Sequence, residues 1–490
     1  MAGRIIHDTR VMWRFFTEPE AEAGERRLYW PRGRVLGGSS AVNGMLWVRG
    51  DPARYDEIAS TGCPGWDWSA IEPVMRRIED WPEGDPAWRG RGGPVSIQEI
   101  ARKDPMSLAF LQACAASGVP RTPDYNGPRF EGAACLQMCT RRGERVSAAD
   151  AYLKSLEGRA GVDLRLGAVV KRVLFEGRRA VGVELVRDGV REVSRCGGDV
   201  VLAAGSVQSP QILELSGIGD AVRLQALGVP LVHTAPGVGE NLQDHFHVRI
   251  TYHAQGVVTV NDLMRRPWLY GPPAWLEYRL RRTGLFANVA STAHALVRST
   301  PDQPKPDLKI QIHKISAPDR MGTTRGSGLD PFSGISIGLF PIYPESRGSV
   351  HAATPRIEDP PRIRANYLSA KADRLRTVLG MRMARTIAGQ PALRRFLVEE
   401  TRPGPASDSD EALLAHARRI GQTSYHPVGT CRMGTDAAAV TDPLLRVRGV
   451  SNLRVADASV FPLMPSPNTN APAIMVGERA ADFILGRRTA

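Results

Sequence analysis

The run DVVLAAG at residues 199–205 constrains the fold more than any other stretch of this chain. It is apolar without alternation and ends in glycine, which is typical of a parallel strand buried on both faces. The segment SVQSPQILELSGIG follows at once, and its Ser209 and Pro210 predict a helix N-cap and first turn. A strand, a glycine and a helix start in this order present backbone N–H groups to an anion. The pattern predicts an α/β layer with a parallel sheet.

The middle of the chain has a different pattern, and 490 residues are too many for one ordinary core. Apolar runs separated by Pro/Gly-rich turns predict a second domain on a largely antiparallel sheet. These strand-like runs are 248–252, 292–298, 307–313 and 334–343. Helices are predicted near Ser69 and over 105–117, 147–158, 369–388 and 470–486, with a strand pair over 162–187. The run LRVADASVFP at 453–462 has the strand character of the first layer, so the chain is expected to return there.

Charge and composition limit the class of partners. The formal net charge is +13, but the arginines are scattered, acids interrupt them, and no basic tract or nucleic-acid module is present. A nucleic-acid partner is therefore not expected. The aromatic and basic segment RRPWLYGPPAWLEYRLRR at 265–282 is compatible with peripheral attraction to anionic lipid, or with a wall of the substrate domain.

Targeting and metal signals are equally sparse in the sequence. The first residues lack an apolar core of signal-peptide length, and no apolar run of about 18 residues could span a bilayer. These features predict a cytoplasmic protein. Six cysteines are too few for a disulfide framework, and Cys135 and Cys139 have no second Cys or His pair at zinc-type spacing. No metal site is expected.

The segment WPRGRVLGGSSAVNGM at 30–45 contains four glycines, two serines and an asparagine. Glycine loses much conformational entropy on folding, so this density needs a reason. A ligand lying close to the backbone would supply one.

Five segments together resemble successive signatures of the glucose–methanol–choline (GMC) oxidoreductases, in that family's order and spacing. They are RGRVLGGSSAVNGMLWVRG (32–50), GSVQSPQILELSGIG (205–219), PGVGENLQDH (236–245), SYHPVGTCRMG (424–434), and LRVADASVFP with NTNAPAIMVGERAADFI (453–484). The resemblance is closest to the choline-dehydrogenase-like branch. It implies an FAD-dependent enzyme that oxidises a small-molecule alcohol to an aldehyde or ketone. Oxygen, a quinone or another acceptor would reoxidise the flavin.

The resemblance also implies a domain organisation. Residues 1–248 would form an FAD-binding, Rossmann-like three-layer α/β domain, and residues 249–420 an α+β substrate domain with a largely antiparallel sheet. Residues 421–490 would return to the FAD domain and carry the catalytic pair. The family's first βαβ unit, whose G-x-G-x-x-G turn holds the pyrophosphate, is absent from this sequence. Two explanations are open: a start codon placed too late, or a truncated non-catalytic remnant that binds FAD weakly or not at all.

The implied cofactor contacts come from the small residues of the 36–46 loop and from two strand ends. They are Gly37, Gly38, Ser39, Asn43, Gly44, Met45, Leu46, Val169, Ala204, Gly205, Asp457 and Ala458. Asp457 could equally be a helix cap. Some relatives attach FAD covalently through a histidine in this loop, and Val42 stands at the matching position here. The resemblance therefore predicts noncovalent FAD.

Alcohol oxidation needs a base that removes the hydroxyl proton while hydride leaves the same carbon, and histidine suits this task. His426 matches the family's catalytic histidine. Asn470 matches the partner position, where an amide can orient the alcohol or hold the developing alkoxide. His245 and His247 are interpreted as structural. Hydroxynitrile-lyase chemistry, in which the flavin is structural, is a further alternative.

Overall fold

The computed structural model describes residues 5–100, 103–156, 158–318 and 328–487. Its α-helices are Pro52–Ser60, Trp68–Ile78, Pro105–Ala116, Gly205–Leu215, Ala221–Ala226, Val260–Arg265, Pro267–Arg281, Lys371–Gly389, Pro391–Arg394, Asp410–Ile420 and Asn470–Ile484. Its first strands are β1 (Met12–Phe16), β2 (Tyr29–Gly33), β3 (Glu79–Asp80), β4 (Val95–Glu99), β5 (Gly132–Cys135), β6 (Gln137–Arg141), β7 (Glu144–Arg145), β8 (Ala168–Glu176), β9 (Arg179–Arg187), β10 (Val190–Arg195) and β11 (Val200–Leu202). The remaining strands are β12 (Ile218–Gly219), β13 (His233–Thr234), β14 (Phe246–Ala254), β15 (Ser291–Val297), β16 (Leu308–His313), β17 (Gly334–Pro341), β18 (Ser349–His351), β19 (Arg362–Arg364), β20 (Leu397–Arg402), β21 (Gln422–Thr423) and β22 (Leu453–Val455).

A parallel strand pair joins the C-terminal segment to the strand that ends near Gly205. β11 lies beside β22, with Val200 opposite Leu453 and Leu202 opposite Val455. These strands form a two-stranded sheet within the described residues. Residues Val200–Leu202 of the run DVVLAAG therefore form a parallel strand, and the C-terminal segment supplies its neighbour. The predicted burial on both faces is wrong, because Val200 and Leu202 are buried on one face while Val201 on the other is 39% exposed.

The helix that follows β11 begins earlier than predicted. It starts at Gly205, so Ser209 and Pro210 lie inside it and Ser209 is not its N-cap. The reason is a long-range contact: the carboxylate of Asp457 accepts hydrogen bonds from Gly205 N at 2.9 Å and Ser209 Oγ at 2.5 Å. Asp457 satisfies a donor of the first turn that a local cap would otherwise satisfy.

The predicted second sheet is confirmed as antiparallel. Its seven strands run in the order β20–β14–β17–β16–β15–β5, and β21 also pairs with β14. Side chains of Ile250, Ile310 and Ile337 belong to one buried core with the helices Lys371–Gly389 and Pro105–Ala116. Because successive side chains alternate between faces, the neighbouring residues of the same strands point to the opposite face. That opposite face is the one that meets the candidate site.

The first segment of the chain also contributes to this second layer. β5 extends the antiparallel sheet by pairing with β15, and the helix Pro105–Ala116 packs into the same core. We keep the division into 1–248, 249–420 and 421–490 as a proposal for the order of the regions along the chain. The packing unit around the antiparallel sheet includes residues from before 248.

Two local predictions differ from the structure. The segment predicted as a helix over 147–158 forms a π-helical turn, Ala149–Leu153, and a 3₁₀ turn, Lys154–Leu156. Ser147 Oγ accepts from Asp150 N at 3.3 Å and donates to the Asp150 carboxylate at 2.6 Å, while Ala148 N donates to Ser40 Oγ at 2.8 Å, which ties this turn to the glycine-rich loop. The strand pair over 162–187 is confirmed as β8 and β9, with β10 as an unpredicted third strand. No helix of the described part is both long and apolar enough to cross a membrane.

Candidate active site

His426 lies in the loop after β21, and a buried carboxylate fixes the backbone of that loop. His426 N donates to Asp244 Oδ1 at 2.8 Å. The other oxygen, Oδ2, accepts from Thr423 Oγ1 at 2.6 Å and from the hydroxyl of Tyr367. Burial raises the pKa of Asp244, and nearby Arg32 opposes that shift. The motifs PGVGENLQDH and SYHPVGTCRMG are therefore joined in space through Asp244.

His245 determines which nitrogen of the His426 ring carries the proton. The Nδ1 atoms of the two rings are 2.9 Å apart, and His245 Nε2 is 2.7 Å from the carbonyl oxygen of Ile342. A carbonyl can only accept, so His245 Nε2 is the donor. Burial lowers the pKa of His245 to about 3, so its ring is neutral and its Nδ1 is an acceptor. His426 must then donate from Nδ1, which leaves its Nε2 with a free lone pair.

Asn468 faces that lone pair. Its Nδ2 lies 3.0 Å from His426 Nε2, and its Oδ1 accepts from Lys309 Nζ at 2.5 Å. While Lys309 is protonated, its ammonium has donors and no acceptor, so the amide oxygen must point toward Lys309 and the amide nitrogen toward His426. This orientation requires Nε2 to be an acceptor. Two independent chains of hydrogen bonds therefore assign the same tautomer to His426.

Electrostatics keep the His426 ring neutral. Burial is the largest cause that lowers its pKa well below 6.5, and His245, Lys309 and Arg32 act in the same direction. Lys309 and Arg32 are basic groups that would repel a positive charge on the imidazole. At neutral pH the ring is therefore in the form that can accept a proton.

Asn470 does not lie where the sequence analysis predicted it. Its Oδ1 accepts from Asn43 Nδ2 at 3.1 Å, and its Nδ2 is 3.6 Å from Cys139 Sγ. Asn470 is the first residue of the last helix, whereas Asn468 lies in the turn before it. The structure gives Asn468 the position beside His426 that was predicted for Asn470. The sequence NTN presents the same amide twice, so nothing in it distinguishes the two.

The two histidines of the QDHFH segment have different surroundings. His245, interpreted as structural, contacts the His426 ring directly. His247 lies farther along β14, with its ring centroid 5.5 Å from that of His313 and 5.7 Å from that of Phe340. The missed signal is the Asp-His pair itself, because its two side chains hold the backbone and the ring of His426.

The glycine-rich loop forms an open, small-residue surface next to Asn470. Gly37 and Gly38 have φ values of +81° and +55°, in the left-handed region that favours glycine. A Cβ at Gly38 would have no atom within 4 Å, and the same holds for Gly205 at φ +80°. Val35 and Leu36 are 41% and 40% exposed beside this loop. A large planar ligand could lie against this glycine backbone and contact the exposed apolar side chains.

Asn43 links that loop to its surroundings. Its Oδ1 accepts from Met45 N at 2.8 Å and from Arg145 Nη1 at 2.9 Å, while its Nδ2 donates to Asn470. Arg145 also donates to the backbone oxygens of Ser40 and Asn43. The loop conformation is therefore fixed by side-chain hydrogen bonds rather than by packing.

The other predicted cofactor residues lie at different depths. Leu46 is 9% exposed and forms a β-bridge with Met138, so its side chain belongs to the protein interior. Val169 is half-buried on β8. Asp457 is a cap, as the alternative interpretation had it, because it accepts from Gly205 N and from Ser459 N at 2.8 Å. The remaining predicted residues lie on the glycine-rich loop or at the two strand ends: Gly37, Gly38, Ser39, Gly44, Met45, Ala204 and Ala458.

Comparison with known proteins decides the family. GMC oxidoreductase family models match residues 17–247 and 344–477. Oxygen-dependent choline dehydrogenase of Vibrio vulnificus (strain YJ016) is 39% identical over 487 residues, which is 99% of this chain and 86% of that protein. The chain belongs to the GMC oxidoreductase family. The mitochondrial choline dehydrogenase of Homo sapiens is 38% identical over 98% of this chain and 80% of its own length.

Solved structures agree with this assignment. Pyridoxine 4-oxidase from Mesorbium loti has a TM-score of 0.87 at 30% identity, over 98% of this chain and 89% of that one. Formate oxidase has a TM-score of 0.89 at 22% identity, which supports the fold alone. Similarity along nearly the whole chain argues against the degraded-remnant interpretation. This GMC oxidoreductase is an FAD-dependent enzyme that oxidises alcohols.

The residues present fit the flavin part of FAD. The loop offers left-handed glycine backbone facing open space at Gly38, and Val35 and Leu36 are exposed apolar side chains beside it. Asn470 and Asn43 connect this surface to the turn that carries Asn468. The glycine-rich loop is therefore linked to the turn that contacts the His426 imidazole.

Proposed function

We propose that His426 is the base that takes the hydroxyl proton of the alcohol on Nε2. The supporting observation is the hydrogen-bonded series Ile342 O, His245, His426 and Asn468, which leaves Nε2 unprotonated and facing an amide donor. Burial and neighbouring basic groups lower the pKa of the ring and keep it neutral before substrate binds.

Bound FAD supplies the hydride acceptor. A substrate hydroxyl placed between the two side chains donates to His426 Nε2 and accepts from Asn468 Nδ2. Transfer of the proton to Nε2 raises electron density on the carbinol carbon, and Asn468 stabilises the developing alkoxide by donating to it. His245 then accepts from Nδ1 of the imidazolium, so the new charge stays hydrogen-bonded on both sides.

We propose that the FAD is held without a covalent bond, by the glycine-rich loop and the strand ends at Ala204 and Ala458. The loop has Val42 where a covalent attachment would need a nucleophilic side chain. Precipitation of the protein with acid should release all the yellow colour into the supernatant. Flavin that stays in the pellet would contradict this proposal.

Anaerobic mixing with alcohols tests the proposed function. We expect the visible absorbance of the FAD-loaded protein to bleach when a suitable alcohol is added without oxygen. A lyase with a structural flavin would convert its substrate and keep its absorbance. Bleaching that is restored by air would identify oxygen as an acceptor, and bleaching that needs a quinone for recovery would identify a dehydrogenase.

The lowered pKa of His426 predicts the pH dependence of that bleaching. Only the deprotonated ring accepts a proton, so activity is lost as pH falls through the pKa of His426. Because this pKa lies well below 6.5, the rate of flavin reduction should stay level as the pH is lowered through 6.5. A stopped-flow pH series measures this, and a rate that halves near pH 6.5 would contradict the assignment of the buried ring.

We also propose peripheral contact with anionic lipid through the helix Pro267–Arg281. Trp268, Trp275 and Leu280 are 74%, 57% and 75% exposed, while Ala274 is the buried residue of this helix. Arginines at 279, 281 and 282 lie at its end, so exposed apolar side chains and a basic end occur together. Exposed tryptophans and arginines are typical of helices that lie in a membrane surface. The cytoplasmic location stays a prediction.

Vesicle sedimentation tests the membrane contact. The protein should co-sediment with vesicles that contain phosphatidylglycerol, less so with pure phosphatidylcholine, and less in high salt. Trp268→Ser with Trp275→Ser should abolish the binding while anaerobic flavin reduction stays unchanged. Equal binding of the double variant, or formation of dimers that the double variant dissolves, would contradict the proposal.

A further inference from the structure

The antiparallel sheet turns a basic face toward the candidate pair, and neither the mechanism nor the core explains its charge. We define the basic face as the side chains of His247, Arg249, His294, Lys309, Gln311 and His313. Strand register places them together, because Arg249 and Gln311 both lie opposite Gly338, and His294 lies opposite Gln311. Their neighbours along each strand belong to the apolar core on the other side.

The basic face touches the site through Lys309 and Phe340. Lys309 donates to Asn468 Oδ1 and lies 6.0 Å from the Phe340 ring, which is itself stacked 4.5 Å from the His245 ring. Gly338 makes room for two of the histidines: a Cβ there would lie 2.1 Å from His247 Nε2 and 2.8 Å from His313 Nε2. The sheet is therefore shaped to bring basic side chains to this point.

Lys309 is a buried cation to which the described residues supply no close negative charge. The strands β14, β15, β16 and β17 contain no Asp or Glu. Lys309 is fully buried, and the described chain has no carboxylate within 4.0 Å of its ammonium. Burial of an unpaired cation is costly, and here it lowers the pKa of Lys309 to about 7. Both ring nitrogens of buried His294 also lack a hydrogen-bond partner in that part of the chain.

Resting on the proposed function, we infer that the substrate is an alcohol that carries an anionic group bound by Lys309. The substrate would supply the missing counter-charge and further acceptors for the Lys309 ammonium. Lys309 and His426 bind opposite ends of one amide, so the anionic group lies only a few bonds from the hydroxyl. Choline, the substrate in the names of the relatives, carries a fixed positive charge that this face would repel.

Binding of ligands that lack a hydroxyl tests this inference separately from catalysis. Ethanesulfonate and ethyltrimethylammonium are similar in size and opposite in charge, and each can be titrated into the FAD-loaded protein by the change in flavin absorbance. We expect ethanesulfonate to bind at least about tenfold more tightly. Lys309→Met should remove that preference, and Lys309→Arg should retain most of it. Equal or tighter binding of the cation, or a preference that survives in Lys309→Met, would overturn the inference.

A matched set of alcohols then connects the charge to turnover. 2-Hydroxyethanesulfonate, 3,3-dimethylbutan-1-ol and choline have similar shapes and carry negative, zero and positive charge. Anaerobic flavin reduction should give the lowest apparent Kd for the sulfonate and the highest for choline. Lys309→Met should lower the ratio of the choline Kd to the sulfonate Kd at least about tenfold. Dividing each apparent Kd by that of the neutral alcohol removes any charge-independent loss of binding that Lys309→Met causes by disturbing Asn468. If the anion preference holds in binding while no alcohol bleaches the flavin, the proposed oxidation fails and the inference on charge stands.

Discussion

His426→Ala should lower the rate of anaerobic flavin reduction by about 10²–10⁴-fold, the usual contribution of general base catalysis. The variant loses the lone pair on Nε2 that the series Ile342–His245–His426 holds in place. The glycine-rich loop makes no hydrogen bond to the imidazole, so the variant should still contain FAD. Stopped-flow mixing measures the rate of reduction, flavin absorbance measures the FAD content, and thermal unfolding shows whether the variant is folded.

His253→Gln is the matched control for that variant. His253 lies on β14 and its ring contacts Phe332, 4.9 Å between centroids, instead of the His426 cluster. Its rate of flavin reduction should equal that of the unaltered protein. A His426→Ala protein that keeps FAD and reduces it at full rate would exclude His426 as the base.

Asn468→Ala should lower the same rate by about 10²–10³-fold, the effect of removing one donor to a developing oxyanion. The loss should fall on the limiting rate of reduction, because the amide stabilises the alkoxide more than the neutral alcohol. Asn468→Asp should be at least as slow, since a carboxylate beside His426 repels the alkoxide and pairs with Lys309. Rapid mixing over a range of substrate concentrations separates the limiting rate from the apparent Kd.

Asn470→Ala is the comparison that decides between the two asparagines. It removes the hydrogen bond to Asn43 and leaves the His426–Asn468 contact intact. We expect weaker FAD retention and a smaller change in the limiting rate, since Asn470 holds the glycine-rich loop. A severe rate loss in Asn470→Ala together with a silent Asn468→Ala would restore the assignment made from sequence.

Local sequence pattern was sufficient for β11 and for β14, β15, β16 and β17 of the antiparallel sheet, but it did not predict β5, β20 or β21. The unbroken apolar run ending at Gly205 identifies β11, and the runs near 248–252 and 307–313 coincide with β14 and β16. The spacing of apolar residues within a short segment indicates which faces of a strand or helix are buried, so no contact between distant segments is needed to predict it. The helix Lys371–Gly389 follows in the same way from its apolar spacing.

Contacts between distant parts of the chain explain where sequence pattern was insufficient. The helix at Gly205 begins early because Asp457, far along the chain, caps it. Asn468 and Asn470 differ in their contacts, since Asn468 lies beside His426 and Asn470 beside Asn43. The NTN sequence itself does not distinguish the two positions. His245 acts on His426 through a tautomer fixed by the carbonyl of Ile342, a third segment. The basic face is likewise visible only once strand register is known.

The protonation state of the His426 ring is the most direct test of this account. Long-range ¹H–¹⁵N spectra of the FAD-loaded protein with labelled histidine, assigned with His426→Gln, distinguish a protonated from an unprotonated ring nitrogen. The account predicts a neutral His426 ring at pH 7 with hydrogen on Nδ1 and none on Nε2, and a His245 ring with hydrogen on Nε2. A proton on Nε2 of His426, or a doubly protonated ring, would contradict it.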